Sequence, residues 1–223
     1  MKFLLNKETL SVDFKDVYII GYAGRDMKKT QEHIDELERD LGVKPPKRIP
    51  TIFECSNELV TQEEDLKFVG DMTSGECEYI IIKSADKIYI TLGSDHTDRK
   101  LESVDMSKAK QVCVKPVARE VWDYEEVKDH WDDILLKSYI TVDGEERVYQ
   151  DGKLADILPV EKILQELDER VGNTEDILVF SGTVPLKDGF VYGEKFRSEM
   201  VDEKLDRKIE LEYAVNVIGV EEL

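Results

Sequence analysis

The stretch TSGECEYIIIKSADKIYITLGSDHTDR, residues 73–99, decides the fold of this chain. Its two glutamates, Glu76 and Glu78, stand two residues apart at the start of an apolar run. Residues i and i+2 of a strand point to the same face, so both carboxylates are predicted to project from one surface. A second apolar run, 87–92, follows after a short turn, and this hairpin would return Asp95 to the side of the glutamates.

Three carboxylates held close together repel one another unless positive charge lies between them. Mg²⁺ or Mn²⁺, which prefer oxygen ligands, are the candidate ions for Glu76, Glu78 and Asp95. The alternative is an exposed acidic strand face, because Asp and Glu occupy 50 of the 223 positions. Two observations favour the cation: the glutamates lead into the apolar run 79–82, and the polar turn 93–99 directly follows the second apolar strand.

The composition is that of a globular protein, with 41% hydrophobic and 36% charged residues. No stretch approaches the run of about 18 apolar residues that a membrane span needs. The N-terminal segment MKFLLNKETL has too short an apolar part for a signal peptide. The three cysteines, Cys55, Cys77 and Cys113, match neither a disulfide framework nor a zinc motif, so a reducing cytoplasm is the expected setting.

The net charge of −19 argues against nucleic acids and anionic membranes as partners. The same charge means that a small anionic substrate needs a local basic pocket to overcome the surrounding negative potential.

Hydrophobic periodicity predicts one β-rich mixed domain with three or four helices. Residues 1–50 are expected to form a small segment packed on a main domain, 51–223. Strands are predicted at 9–14, 17–20, 51–55, 66–69, 112–114, 139–142, 146–149, 177–180 and 208–218, besides the acidic hairpin. Helices are predicted after Asp26, after Asp123 and after Asp156, where capping residues precede apolar positions at helical spacing.

Several short motifs then follow one another as in the fumarylacetoacetate hydrolase superfamily, and together they cover most of the chain. GECE, ending at Glu78, resembles that family's E-x-E metal strand, and GSDHTDR resembles the segment that supplies its third metal carboxylate. Four further segments are similar to family motifs: IIGYAGRD (19–26) with HIDEL (33–37), SKAKQVCVKP (107–116), VDGEERVYQDGKLADILPVEKILQEL (142–167) and EDILVFSGTVP (175–185). The resemblance implies an α+β, β-rich fold, a mixed β-roll or sandwich with a few peripheral helices, and a homodimer.

The resemblance also implies roles for single residues. It makes Glu76, Glu78 and Asp95 the ligands of Mg²⁺ or Mn²⁺ and Lys110 the active-site lysine near the metal. His33 and Glu36 resemble the His–Glu dyad that handles water in hydrolytic members; three apart on the predicted first helix, they can interact on one face.

Three further residues are candidates for binding substrate. Thr183 matches a family threonine near the substrate, although its hydroxyl could instead satisfy turn backbone groups. Arg25, which stands close to where the family histidine would fall, and Arg99 could each hold a substrate carboxylate through bidentate hydrogen bonds or simply form salt bridges. His96 could ligate the metal or hydrogen-bond to Asp95 or Asp98.

The sequence therefore favours a metal-dependent hydrolase or lyase acting on a small 2-oxo or 1,3-dicarbonyl acid through a metal-stabilised enolate. The reaction would be hydrolysis of a C–C bond, decarboxylation, or hydration or tautomerisation. The alternative is a non-catalytic domain of the same fold that binds a divalent metal or uses its acidic surface for interactions.

Overall fold

The computed structural model of the protein describes residues 1–41, 44–172 and 174–219, without the side chains of residues 33, 36, 37, 40 and 41. The strands are β1 (Lys2–Leu5), β2 (Glu8–Ser11), β3 (Asp16–Gly21), β4 (Thr51–Cys55), β5 (Val60–Thr61), β6 (Asp65–Val69), β7 (Thr73–Ser74), β8 (Cys77–Ser84), β9 (Lys87–Ser94), β10 (Thr97–Asp98), β11 (Lys115–Pro116), β12 (Glu120–Asp123), β13 (Leu135–Val142), β14 (Glu145–Lys153), β15 (Ile177–Thr183), β16 (Lys195–Asp202) and β17 (Arg207–Ile218). The α-helices are α1 (Met27–Leu41), α2 (Arg99–Glu102), α3 (Met106–Gln111), α4 (Tyr124–Val127) and α5 (Val160–Arg170), and short 3₁₀ turns lie at Asn57–Leu59, Lys128–Asp133 and Leu154–Asp156.

Two large sheets form the body of the protein. The first has eight strands in the order β2-β1-β12-β9-β8-β15-β3-β4, and the second has five in the order β14-β13-β16-β17-β6. Two further sheets have two strands each, β10 with β7 and β11 with β5. The architecture is the β-rich α+β arrangement expected from the sequence.

Strand β8 lies in the middle of the eight-stranded sheet, paired with β9 on one side and β15 on the other. Its side chains alternate between two cores. Tyr79 and Ile81 share one core with Phe196 of the five-stranded sheet, whereas Ile80 and Ile82 belong to a second core on the opposite face. Both faces are therefore buried, which explains why the run 79–82 is continuously apolar.

The acidic hairpin forms as predicted. Cys77 pairs with Ser94 and Ser84 pairs with Lys87, so the start of β8 lies beside the end of β9. The predicted hairpin over 139–149 is also present, with Asp143 and Gly144 at positive φ in its turn, and the long last strand forms as well. Helix α1 begins where predicted, because the Asp26 carboxylate accepts hydrogen bonds from the backbone N–H groups of Lys28 and Lys29.

Two of the predicted elements are wrong. The predicted strand at 112–114 is the turn that follows α3, and the strand begins only at Lys115. The predicted helix after Asp123 ends after one turn and continues as a 3₁₀ segment, interrupted at His130 by a non-helical backbone conformation.

The helix after Asp156 begins later than its capping signal indicates. It starts at Val160, behind Pro159. The Asp156 carboxylate instead accepts a hydrogen bond from the backbone N–H of Lys153.

The first 50 residues contribute strands to the large sheet, since β1 pairs with β12 and β3 pairs with β15. The division into segments 1–50 and 51–223 stays a prediction. Among the described residues, none of the helices has the length and apolar character that crossing a membrane requires.

A bulge near the end of β15 shapes the region beside the glutamates. The pairing of β15 with β8 shifts register between Phe180 and Thr183, and Gly182 adopts a φ of +89° at this point. An added Cβ at Gly182 would lie 2.7 Å from the Ala23 Cβ and 2.9 Å from the Ile20 carbonyl oxygen. The backbone conformation and the close approach both require glycine here.

We predict that Gly182→Ala lowers the free energy of unfolding by about 2–5 kcal/mol, since it combines backbone strain with overpacking. Gly144→Ala is the matched control. Gly144 also has a positive φ, +77°, but no heavy atom lies within 4 Å of its added Cβ. Gly144→Ala should therefore lower the free energy of unfolding by the backbone strain alone, about 1–2 kcal/mol. Urea unfolding of both variants measures the difference, and equal losses would contradict the role of packing at Gly182.

Candidate metal centre

Three carboxylates converge where β8 and β9 meet. Glu76 precedes β8, Glu78 is its second residue, and Asp95 follows β9. One oxygen from each carboxylate lies within 4.8 Å of the others. The i, i+2 spacing of the glutamates and the register of the hairpin produce this cluster, as the sequence predicted.

Glu78 is almost fully buried, with 2% of its surface exposed. Its Oε2 accepts a hydrogen bond of 2.9 Å from the backbone N–H of Gly182, which the bulge in β15 aims at it. Burial, and then the negative charges of Asp95 and Glu76, raise the pKa of Glu78 well above its ordinary value, although Lys110 and the Gly182 hydrogen bond oppose the shift. The Glu78 carboxylate is therefore the member of the cluster with the least compensated charge.

Asp95 is fully buried between two ammonium groups. Lys110 Nζ contacts its Oδ2, and Lys115 Nζ lies 3.1 Å from its Oδ1. Burial alone would raise the pKa of Asp95, but the two lysines outweigh that effect and hold the pKa well below its usual range. The Asp95 carboxylate is consequently ionised at any physiological pH.

Glu76 is paired with Arg99, whose Nη2 lies 3.4 Å from Glu76 Oε1. The same guanidinium donates to the side chains of Ser74 and Glu102, both at 2.8 Å. Burial raises the pKa of Glu76, and the positive charges of Arg99 and Lys110 partly offset this rise. Arg99 thus holds Glu76 from the side of the small β7–β10 pair.

The three carboxylates fit a divalent cation. Metal–oxygen distances of about 2.0–2.6 Å place oxygens on opposite sides of one ion roughly 4–5 Å apart, which matches the 4.8 Å limit of this cluster. The donor set contains oxygen only, as Mg²⁺ and Mn²⁺ prefer. Burial contributes most to the raised pKa of Glu78, and the repulsion from Asp95 and Glu76, which a bound cation would relieve, raises it further.

A cleft of about 940 Å³ opens beside this cluster. Glu76, Glu78, Arg99 and Lys110 line one part of it, together with the backbone around Gly182. The first residues of α1 also line the cleft. The side chains of His33 and Glu36, which stand further along α1, lie outside the described residues, so their role as a dyad stays a prediction.

Two candidate substrate-binding residues have their polar groups engaged within the protein. The Arg25 guanidinium donates to Asp132 Oδ2 at 2.8 Å and to the backbone carbonyl oxygens of Ile157 and Leu154. The Thr183 hydroxyl donates to the carbonyl oxygen of Cys77 at 2.6 Å. Both residues line the cleft, and their contact with a substrate stays a prediction.

His96 belongs to a different network from the carboxylates. Its Nδ1 lies 2.9 Å from the Tyr213 hydroxyl, and its ring stacks on Phe68 with the ring centroids 3.8 Å apart. Burial lowers the pKa of His96 well below its ordinary value, and the charges of Lys115 and Arg99 lower it further. His96 therefore packs between Phe68 of β6 and Tyr213 of β17, and its ligation of a metal stays a prediction.

Sequence reasoning missed two buried residues that hold the site. Lys115 has no exposed surface and donates to the His96 carbonyl oxygen at 2.6 Å as well as pairing with Asp95. Gln150 accepts from the Cys77 backbone N–H at 2.9 Å and donates to the Thr183 hydroxyl at 2.7 Å, which ties β14 to the start of β8. Lys115 stands within the motif quoted for Lys110, but nothing in the local pattern distinguishes it from a surface lysine.

The fold is similar to that of several solved enzymes. A 2-keto-3-deoxy-D-arabinonate dehydratase in its apo form aligns with a TM-score of 0.66 and 18% identity, over 96% of this chain and 86% of that one. A fumarylacetoacetate hydrolase family protein from yeast gives 0.61 and 16%, over 92% and 94%. The 4-oxalocrotonate decarboxylase from Pseudomonas putida G7, complexed with calcium and acetate, gives 0.57 and 14%, over 92% and 78%.

These likenesses show the fold: it is that of a fumarylacetoacetate hydrolase family protein, as the motifs of the chain indicated. Within that fold, the family described as protein of unknown function (DUF2848) matches residues 20–213, and the chain belongs to this family. A comparison with curated proteins gives no significant match.

We predict that Mg²⁺ or Mn²⁺ raises the Tm of the protein by about 5–10 °C at roughly one hundred times its Kd, because a ligand that binds only the folded state stabilises it. Glu78→Gln, Glu76→Gln and Asp95→Asn should each abolish this rise. Glu63→Gln, at an exposed position outside the cluster, is the matched control and should keep it. An unchanged metal response in the three cluster variants, measured by differential scanning fluorimetry, would contradict the assignment.

We also predict that Lys115→Met tightens Mn²⁺ binding by about tenfold or more, since it removes a positive charge close to where the cation would bind. The metal-free Tm should fall, because one compensating charge of the carboxylate cluster is lost. Lys115→Gln, which removes the charge but keeps a hydrogen-bond donor, is a second variant that tests the same effect if Lys115→Met does not fold. Lys83→Met, at the opposite end of β8, is the charge control. Calorimetric titration that gives an unchanged or weaker Kd for the Lys115 variants would exclude this electrostatic effect.

Proposed function

We propose that this protein is a metal-dependent hydrolase or lyase that acts on a small 2-oxo or 1,3-dicarbonyl acid. The observation that carries the proposal is the convergence of Glu76, Glu78 and the buried Asp95, of which the two glutamates line one large cleft together with Lys110. The carboxylates would hold Mg²⁺ or Mn²⁺. When bound, the cation supplies Lewis-acid stabilisation of negative charge on the oxygens of a 2-oxo acid.

The protein's own groups would supply the rest of the electrostatic environment. Burial disfavours the charged form of Lys110, but Asp95 and Glu76 more than compensate and raise its pKa, so its ammonium stays protonated beside the cleft. A fixed ammonium stabilises an enolate oxygen that develops when a bond to the neighbouring carbon breaks. Arg99, held by Ser74 and Glu102, adds a second fixed positive charge at the cleft wall.

The similar solved structures support the substrate class. A second structure of the 2-keto-3-deoxy-D-arabinonate dehydratase, with a TM-score of 0.62 and 18% identity, contains magnesium and 2,5-dioxopentanoate. The decarboxylase from Pseudomonas putida G7 contains calcium and acetate. Each of these proteins combines a divalent cation with a small acid, and this combination is what the carboxylate cluster and the cleft of the present chain would accommodate.

A non-catalytic domain that binds a divalent metal is the second candidate. The engagement of Arg25 by Asp132 and by two backbone carbonyls favours it, because this guanidinium stands in the part of the chain that resembles the family's dyad segment. A purely acidic interaction module without metal is the remaining alternative. Homodimerisation and a cytoplasmic location belong to the proposal as implied by the family resemblance and the cysteine content.

The proposal is tested by turnover with a panel of acids in the presence of Mg²⁺ or Mn²⁺. The panel contains oxaloacetate, a 1,3-diketo acid and a 2-oxo-3-deoxy sugar acid, and product formation is followed by mass spectrometry. Metal-dependent turnover that is lost in Glu78→Gln is the expected result. A metal-induced rise in Tm without any turnover would favour the non-catalytic domain, and the absence of a metal response would favour the acidic module.

The reaction type depends on His33 and Glu36. If they act on water, His33→Ala should reduce hydrolysis of a 1,3-diketo acid by about 10²–10⁴-fold, the usual contribution of general-base catalysis. Decarboxylation of oxaloacetate should fall much less, because no water is activated in that step. Lys28→Ala, on an exposed position of the same helix, is the control. Equal losses in both reactions, with unchanged metal affinity, would remove the dyad from the mechanism.

A further inference from the structure

The cleft is much larger than a bare 2-oxo acid requires. Its volume is about 940 Å³. Pockets of roughly 300–1,000 Å³ usually accommodate drug-sized ligands, of which an acid with about six heavy atoms fills only a small part. A substrate that leaves the remaining space to water would gain little binding free energy from that space. The chemical character of the remaining walls therefore indicates which substituent the substrate has beyond its 2-oxo acid group.

The positive charges that line the cleft are largely committed. Arg25 is paired with Asp132, Arg99 with Glu76 and Glu102, and Lys110 with Asp95. The lining also includes further acidic side chains, among them Asp26 and Asp156. Among the described cationic residues that line the cleft, Lys29 stands apart, because it is exposed at the start of α1. A second carboxylate on the substrate would therefore meet more negative than uncommitted positive charge.

The remaining walls include apolar side chains. Met106 from α3 and Leu186 and Phe190 from the segment after β15 line the cleft, and we call these three the apolar arm. Phe190 is 48% exposed, a large fraction for a phenylalanine side chain. Its ring lies 4.4 Å from the Arg99 guanidinium carbon. Because Arg99 also contacts Glu76, the apolar arm is continuous with the carboxylate cluster.

We propose that the substrate is a 2-oxo acid with one carboxylate and an uncharged, apolar substituent, which lies against the apolar arm. Covering the arm would remove the exposed Phe190 ring from water, which is favourable in proportion to the apolar area buried. The committed cations explain why a negatively charged substituent would be disfavoured. This inference rests on the proposed function, because the acid group is assigned to the metal centre.

The test uses oxamates, in which an amide carbonyl stands where a 2-oxo acid has its keto oxygen. Isothermal titration of the protein with Mg²⁺ present compares oxamate, N-butyl oxamate, N-hexyl oxamate and N-(3-carboxypropyl) oxamate. We expect affinity to rise about two- to fourfold per methylene that the arm covers. We expect the carboxypropyl compound to bind more weakly than the butyl compound.

Variants of the apolar arm test where the alkyl chain gains its affinity. Phe190→Ala and Met106→Ala should each reduce the difference in Kd between oxamate and N-hexyl oxamate. Val104→Ala is the control, since Val104 is 81% exposed and does not line the cleft, and it should leave that difference unchanged.

The outcomes separate the two proposals. Oxamate binding with no gain from the alkyl chain, or with a preference for the carboxypropyl compound, would overturn the apolar arm and leave the proposed function standing. A gain that persists undiminished in Phe190→Ala and Met106→Ala would also overturn it. No binding of oxamate in the presence of Mg²⁺ would overturn both proposals.

Discussion

The mutual repulsion of three carboxylates is the constraint on which this structure depends. Glu76, Glu78 and Asp95 bring their oxygens within 4.8 Å of one another in a largely buried place. Fixed positive groups from separate segments offset that repulsion, chiefly Lys110 and Lys115, which form salt bridges with Asp95. These partners come from the segment between β10 and β12, so the small elements that look peripheral in the topology maintain the charge balance of the centre.

This charge balance also limits how much a bound cation can stabilise the carboxylate cluster. Asp95 already has a buried ammonium group near each oxygen, and Glu76 has Arg99. Glu78, by contrast, has no ammonium or guanidinium group in direct contact among the described residues, and is compensated by the charge of Lys110 and then by the hydrogen bond from the Gly182 N–H. A divalent ion would therefore gain most from Glu78 and least from Asp95. The structure thus predicts a centre that remains folded without metal and binds it reversibly, unlike a structural metal site whose ligands repel one another without compensation.

The sequence predicted the parts of the site that depend on local periodicity. The i, i+2 spacing of Glu76 and Glu78 and the hairpin that returns Asp95 follow from the strand repeat alone. Lys115 and Gln150 could not be recognised in this way, because their partners, Asp95 for the first and Cys77 and Thr183 for the second, lie outside their own elements and come close only in the folded chain. Some errors of element assignment also have local causes. The strand predicted at 112–114 rested on the β-favouring residues Val112 and Val114. The sequence also contains Asp105, whose side chain caps α3 by accepting a hydrogen bond from the Lys108 N–H, and Val112 lies at the end of that helix. No strand was predicted over β16, because Ser198 occupies a buried position between Phe196 and Met200 and so weakens the apolar alternation.

The position of β8 has a consequence for how different parts of the site move. Its amides are paired on both edges and its side chains are buried on both faces, so they should exchange with solvent deuterium only when the whole protein unfolds. Glu78 therefore shares the slowest motions of the molecule. Residues 188–190, which include Phe190, are exposed and follow the bridge that ties Leu186 to Gln150 of β14, so they can open on a faster timescale. Hydrogen exchange would thus separate a rigid region that determines the chemistry from an adaptable one that determines which molecules are admitted.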